Sequence, residues 1–242
     1  MKILQFADEF IPIFGGSETR IFNLSLDRIN QHYLYVSFLN TFTSLKAKEN
    51  FDNLRVHRVK LFYDFKSKNK TIKYILNHHF LINFYSTKLV NFVKEKNFDI
   101  IQGHDPMIFA KAGMKYARKY KIPFIYETHR FGSDDPIIRN NQYIPKLLHS
   151  LIFKPIILNE RKIVKYANAI IVQTKGIKQR MRNFYKINPT KIKIIPMGVD
   201  LNKFDPIKWN QKGKEFRKKN HWEGKIILFY NGYLEHLTGN CQ

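Results

Sequence analysis

Three short segments of this 242-residue chain place chemistry-bearing side chains where an apolar run stops. They are PIFGGSE at 12–18, GHDP at 103–106 and YETHR at 126–130. Gly15 and Gly16 let a backbone approach a ligand closely. The helix start behind them, with Ser17 as its cap and Glu18 in its first turn, offers free N–H groups and a positive dipole end. Such a site suits a phosphate or a sugar hydroxyl. A plain tight turn is the alternative reading of the same glycines. His104, Asp105, His129 and Arg130 are groups that hydrogen-bond hydroxyls or share charge with phosphates. Taken singly, each histidine also reads as a loop residue satisfied by backbone. Taken together, they gather at one rim of a sheet, the side on which parallel sheets bind their ligands.

Other chemistries find no residues. No third glycine follows Gly15 and Gly16, and the second strand ends at Leu39-Asn40 with no acidic partner for a ribose, so a nicotinamide dehydrogenase is disfavoured. No metal and no cofactor are expected. His78 and His79 are neighbours on a helical stretch and point apart, and Asp134-Asp135 lack the spaced Asp-x-Asp arrangement. A P-loop lysine motif and a serine nucleophile elbow are both missing.

The elements that must carry these groups alternate. Strands are expected at 2–7, 32–39, 54–60, 99–103, 123–127, 169–173 and 191–195. Helices are expected at 18–29, 71–96, 107–119, 145–166 and 174–184, the last capped by Thr174. This order argues an α/β fold: a Rossmann-like, doubly wound parallel sheet with helices on both faces. After Pro196 the chain turns polar and basic, with a short helical stretch near 214–219, and KIILFYNG at 225–232 then reads as a fresh buried strand. A lone parallel strand cannot make a domain. The expected layout is therefore an acceptor-side domain at 1–197, a linker at 198–224, and the first strand of a truncated second domain at 225–242.

Composition sets the outer bounds. The hydrophobic fraction is 44%, with 21 Phe and 13 Tyr, so a sizeable core is available. Lys and Arg number 42 against 19 Asp and Glu, a formal net charge of +23. That charge attracts anions at long range: a phosphorylated small molecule, an anionic membrane surface or nucleic acid. The single cysteine, Cys241, excludes an internal disulfide and fits a cytoplasmic location. The opening MKILQFADEF is not a signal peptide, and no apolar run reaches the roughly 18 residues of a membrane span.

The ordered set GGSE, FDIIQGHD, YETHR, NAIIVQT and KIKIIPMGVDLNKFDP resembles the family 4 glycosyltransferases, retaining enzymes of the GT-B fold, over essentially the whole chain. The last segment is similar to the family junction I-P-N-G-V-D-x-x-x-F, with Met197 where Asn is usual. The resemblance implies an N-terminal domain that binds the acceptor and a C-terminal domain that binds a nucleotide-sugar donor. It implies metal-free catalysis in the cleft, a Gly15-Gly16 loop facing the donor phosphates, and His129 contacting the transferred sugar. Two departures matter. Where the family has an Arg and a Lys on its first donor-domain turn, this chain has Tyr233 and Thr238 around Gly232, Leu234 and Gly239. The family's pair of donor-domain glutamates would lie beyond Gln242.

The expected function is thus transfer of a sugar from a nucleotide sugar to a lipid-linked or polysaccharide acceptor, by a cytoplasmic protein in peripheral contact with an anionic membrane. His129 is the expected catalytic residue, and Gly15, Gly16, Ser17, Glu18, His104, Asp105 and Arg130 the expected substrate-binding ones. By itself the chain is expected to be inactive. The competing reading is a non-catalytic basic protein that binds nucleic acid or anionic surfaces. Against it, Lys73, Lys88, Lys94 and Lys96 lie off the apolar stripe of their helix, as on an ordinary solvated face, and no nucleic-acid module is present.

Overall fold

Short runs of β-branched and aromatic residues make the strands, and their buried flanks on both sides mark a parallel sheet covered by helices. The computed structural model describes residues 1–12, 15–26, 29–37, 45–60, 82–129 and 146–230, with side chains from residue 154 onward in the last segment. In chain order the elements are β1 (Lys2–Phe6), α1 (Gly16–Ser25), β2 (Gln31–Ser37), β3 (Lys48–Phe51), β4 (Leu54–Val59), α2 (Ile82–Phe92) and β5 (Ile100–His104). There follow α3 (Ile108–Tyr120), β6 (Phe124–Glu127), α4 (Lys146–Tyr166), β7 (Ala169–Val172), α5 (Lys175–Tyr185), β8 (Ile192–Ile194) and α6 (Pro206–Lys219).

The chain divides into two compact units, Met1–Pro196 and Met197–Gln242. In the first, eight strands form one sheet in the order β3-β4-β2-β1-β5-β6-β7-β8. Every pair is parallel except β3 with β4. From β1 the chain winds outward through β2 and β4, then returns to place β5 on the other flank of β1. The winding direction therefore reverses between β1 and β5. At such a switch point the two connecting loops diverge and open a crevice beyond the strands' carboxyl ends.

Strand alternation sorts the side chains by face. Leu4, Phe6, Tyr33, Tyr35 and Ile101 join Tyr85, Leu89, Phe109 and Tyr116 in the larger core, while Leu34, Val36, Leu54 and Val56 pack with Ile21 of α1. Two glycines set the closeness of α3 to the sheet. A Cβ on Gly103 would meet the Ala110 Cα at 2.8 Å, and one on Gly113 would meet the Phe124 ring at 3.0 Å. Helix ends follow local chemistry. Thr174 caps α5 by accepting from the Ile177 N–H at 3.2 Å, and Lys121 closes α3 in the left-handed conformation.

The second unit contains α6, started by Asp205, whose carboxylate accepts from the Ile207 and Lys208 N–H groups. None of its helical residues is buried. The expected linker is thus partly a 14-residue helix, longer than the stretch read from sequence. Residues 225–230, expected as a strand, form no strand. Their alternation supplies the apolar side chains, but a strand is defined by a ladder partner, and none of the described residues provides one. The edge strand β3 was not expected, because KENF carries charge and lacks apolar alternation. Charged residues of this kind suit an exposed edge. Among the described residues no helix is long and apolar enough to cross a membrane.

Candidate functional site

Helix α1 lies over a polar stripe of the sheet. Gln5, Gln102, His104 and Glu127 come from β1, β5 and β6, and parallel register pairs Gln5 with Gln102 and His104 with Glu127. All but Gln102 are buried. Residues in register on parallel neighbours share a face, so these groups meet beneath α1 at the switch point.

Glu127 is the centre. Its Oε1 accepts from Arg20 Nε at 2.6 Å and its Oε2 from Gln102 Nε2 at 2.7 Å. Both members of the Arg20–Glu127 pair are buried. Arg20 also donates from Nη1 to the Pro196 carbonyl at 2.9 Å, tying α1 to the end of the first unit. His104 Nε2 lies 3.0 Å from Gln5 Oε1, and Gln5 Nε2 donates to Ser25 Oγ at 2.7 Å. Two histidines approach the carboxylate without bonding it. His104 Nδ1 is 3.8 Å from Oε2 and His129 Nε2 is 3.9 Å from Oε1.

Electrostatics follow from burial and from one permanent charge. Burial pushes the His104 pKa down to about 4, against the smaller upward pull of Glu127. His104 is therefore neutral at physiological pH. Burial pushes Glu127 up, but neighbouring cations outweigh it and the net direction is down. Of the groups that pull it down, His104 first and then Arg20, the Arg20 guanidinium is the permanent charge.

The expected site residues fall into four groups. Gly15, Gly16, Glu18, Asp105 and His129 sit at the rim formed by the loops after β1, β5 and β6. Asp105 adopts φ 57°, a left-handed conformation that Asp tolerates. In it, its N–H reaches the Glu127 carbonyl at 3.0 Å and its Oδ1 accepts the His129 N–H at 3.2 Å. It staples two rim loops together and so places His129. His104 is turned inward to Gln5 and is almost fully buried, away from any ligand at the rim.

Ser17 corrects the sequence reading. The N-cap of α1 is Gly15, with no side-chain capping bond, and Ser17 Oγ donates to Glu18 Oε1 at 2.9 Å instead. Glu18 folds back over the glycines, so that a side chain at Gly15 would collide with its carboxylate. An acidic group there complements the helix dipole. Arg130, Asp134-Asp135, His78-His79, the turn at Gly232 and Cys241 lie outside the described residues.

Arg20, Gln102, Gln5 and Glu127 were not expected as site residues. Glu127 did carry a signal, an acidic residue ending the otherwise apolar FIYE strand. Arg20 carried none, since one arginine among 42 cations looks like surface.

The glycosyltransferase family 4 model matches residues 14–203. An alpha-monoglucosyldiacylglycerol synthase of Streptococcus pneumoniae is 23% identical over 222 residues, covering 90% of this chain and 45% of the relative. Sucrose-phosphate synthase of Thermosynechococcus elongatus superposes with a TM-score of 0.63 at 12% identity, covering 88% of this chain and 52% of that one. The Anabaena protein HepE, crystallised with UDP, gives 0.53 at 14% identity, with 91% and 50% covered. The chain spans about half the length of the relatives it matches. With the family matched over most of its length and a GT-B half for a fold, this chain belongs to glycosyltransferase family 4.

Proposed function

We propose that the chain is the acceptor-side half of an enzyme that moves a sugar from a nucleotide sugar onto a lipid-linked or glycan acceptor, with retention of anomeric configuration. The observation that carries this reading is the rim at the switch point. There the partly exposed His129 ring stands beside Glu127, on the same rim as the Gly15-Gly16 turn. A sugar at that rim would meet the His129 ring and the start of α1, groups suited to hydroxyls and to developing charge. The donor class is supported by UDP in the names of two structural neighbours, HepE in complex with UDP and a UDP-forming alpha,alpha-trehalose-phosphate synthase of Burkholderia vietnamiensis. The lipid acceptor is supported by the diacylglycerol in the name of the pneumococcal relative. An acceptor embedded in a bilayer also fits a net charge of +23, which would hold the protein on the anionic face of a membrane.

Transfer requires both substrates held together, so residues 1–242 alone should not turn over. The test is transfer of labelled sugar from a panel of nucleotide sugars to diacylglycerol-based and glycan acceptors, using the intact gene product that contains this chain. Product with the donor's anomeric configuration is expected. Inverted product would refute retention. Transfer by none of the donors, with the protein folded, would refute the transferase reading.

A further inference from the structure

Among the described residues, three buried polar atoms around Glu127 have no hydrogen-bond partner: Arg20 Nη2, His104 Nδ1 and His129 Nε2. Their arrangement fixes where protons sit. Each oxygen of Glu127 accepts one described hydrogen bond, from Arg20 on Oε1 and from Gln102 on Oε2. A carboxylate oxygen has two acceptor sites, so one remains on each.

His104 cannot supply a proton to the free site on Oε2. Gln5 Nε2 donates to Ser25 Oγ and faces His32 Nδ1 at 2.9 Å, so Gln5 presents Oε1 to His104. His104 Nε2 must then carry the ring's single hydrogen, which leaves Nδ1 bare.

His129 is different. Neither of its nitrogens bonds a described residue. Nε2 is turned inward, without accessible surface, toward Oε1 at 3.9 Å. The side chain nevertheless keeps 15% exposure, and Nδ1 is not among the buried atoms that lack a partner. A hydrogen on Nε2 would point at an anion. A lone pair there would oppose that anion, whose Oε1 also accepts from Arg20 Nε, while Asp105 Oδ1 holds the His129 backbone N–H.

We propose that Glu127, held by Arg20 and Gln102, is the positioning residue of this rim: it fixes the proton of neutral His129 on Nε2 and so presents Nδ1 to the ligand as an acceptor. An acceptor nitrogen binds a hydroxyl and rejects the diphosphate oxygens of a nucleotide sugar, which have no proton to give. His129 therefore reads a hydroxyl of the sugar or of the acceptor, and leaves the phosphates to other groups. This assignment of the ligand group rests on the transferase reading, whereas the proton assignment does not.

The test is nitrogen NMR of the 242-residue chain labelled at its nine histidines, at a pH where they are neutral. The His129 signal is identified by its loss in His129→Gln. The Nε2–H form should dominate almost completely in the wild type, and the Nδ1–H share should rise several-fold in Glu127→Gln. A dominant Nδ1–H form, a mixture of the two forms in the wild type, or an unchanged ratio in a folded Glu127→Gln would each overturn the proposal. If that variant does not fold, the wild-type ratio alone decides. Addition of methyl glucoside should perturb Nδ1, and dimethyl phosphate, a phosphodiester with no proton to donate, should not; the reverse pattern would overturn the hydroxyl assignment. The expected ratio without transfer activity in the intact gene product would sink the transferase reading and leave the proton assignment standing.

Discussion

Lowering the pH from 7.5 to 5 should weaken the first unit by about 2 kcal/mol through His104 alone. The ring is buried beneath α1, and its pKa falls from 6.5 to about 4. Folded pKa is below unfolded pKa, so the unfolded chain binds more protons between those values. Stability is then fully present above pH 6.5 and drains away as the pH falls toward 4. At pH 5 the unfolded histidine is almost fully protonated and the folded one is about one-tenth protonated, and a ratio of about 30 in binding gives about 2 kcal/mol. Urea unfolding at a series of pH values measures it, with His104→Gln as the control that cannot titrate. The variant will be less stable throughout, but its decline between pH 7.5 and 5 should be shallower by about 2 kcal/mol. Parallel declines for the two proteins would refute the claim that His104 is buried and neutral.

Other outcomes follow from the same contacts. Arg20→Met should cost about 3–5 kcal/mol in urea unfolding at pH 7, because Glu127 is left buried and unpaired, and adding Glu127→Gln should restore much of that loss. Gly103→Ala should cost about 1–3 kcal/mol, because the new methyl meets the Ala110 backbone at 2.8 Å and α3 must retreat. The excess of basic residues should make co-sedimentation with anionic vesicles at low salt exceed that with neutral vesicles, and salt should reverse it; equal sedimentation would remove the membrane from the account.

Much of the fold was legible because burial writes itself into sequence. IIQGH and FIYE are apolar runs that stop at a polar residue, and the stopping residues mark the rim. Glu18, Asp105 and His129 could be placed there for that reason. The network beneath was not legible, because a parallel strand buried on both faces shows no alternation that says which face a Gln or His takes. Gln5, Gln102 and His104 share a face only by register across three strands, which no local pattern encodes. Helix α1 ends at Ser25, four residues short of expectation, and the Ser25 hydroxyl accepts from Gln5. The roles of Ser17 and Asp105 were likewise settled by geometry, the one bonding Glu18 and the other clasping the His129 N–H.

The central claim is that the rim at the switch point is where a sugar is transferred, with His129 as its contact. Turnover of His129→Ala in the intact gene product, measured at saturating nucleotide sugar alongside a check of folding, tests it most directly. Loss of one positioned polar group at a developing charge typically lowers turnover by about 10²-fold or more, and that loss is expected with an unchanged unfolding midpoint. Wild-type turnover in a folded His129→Ala protein would remove His129 from the mechanism and contradict the account.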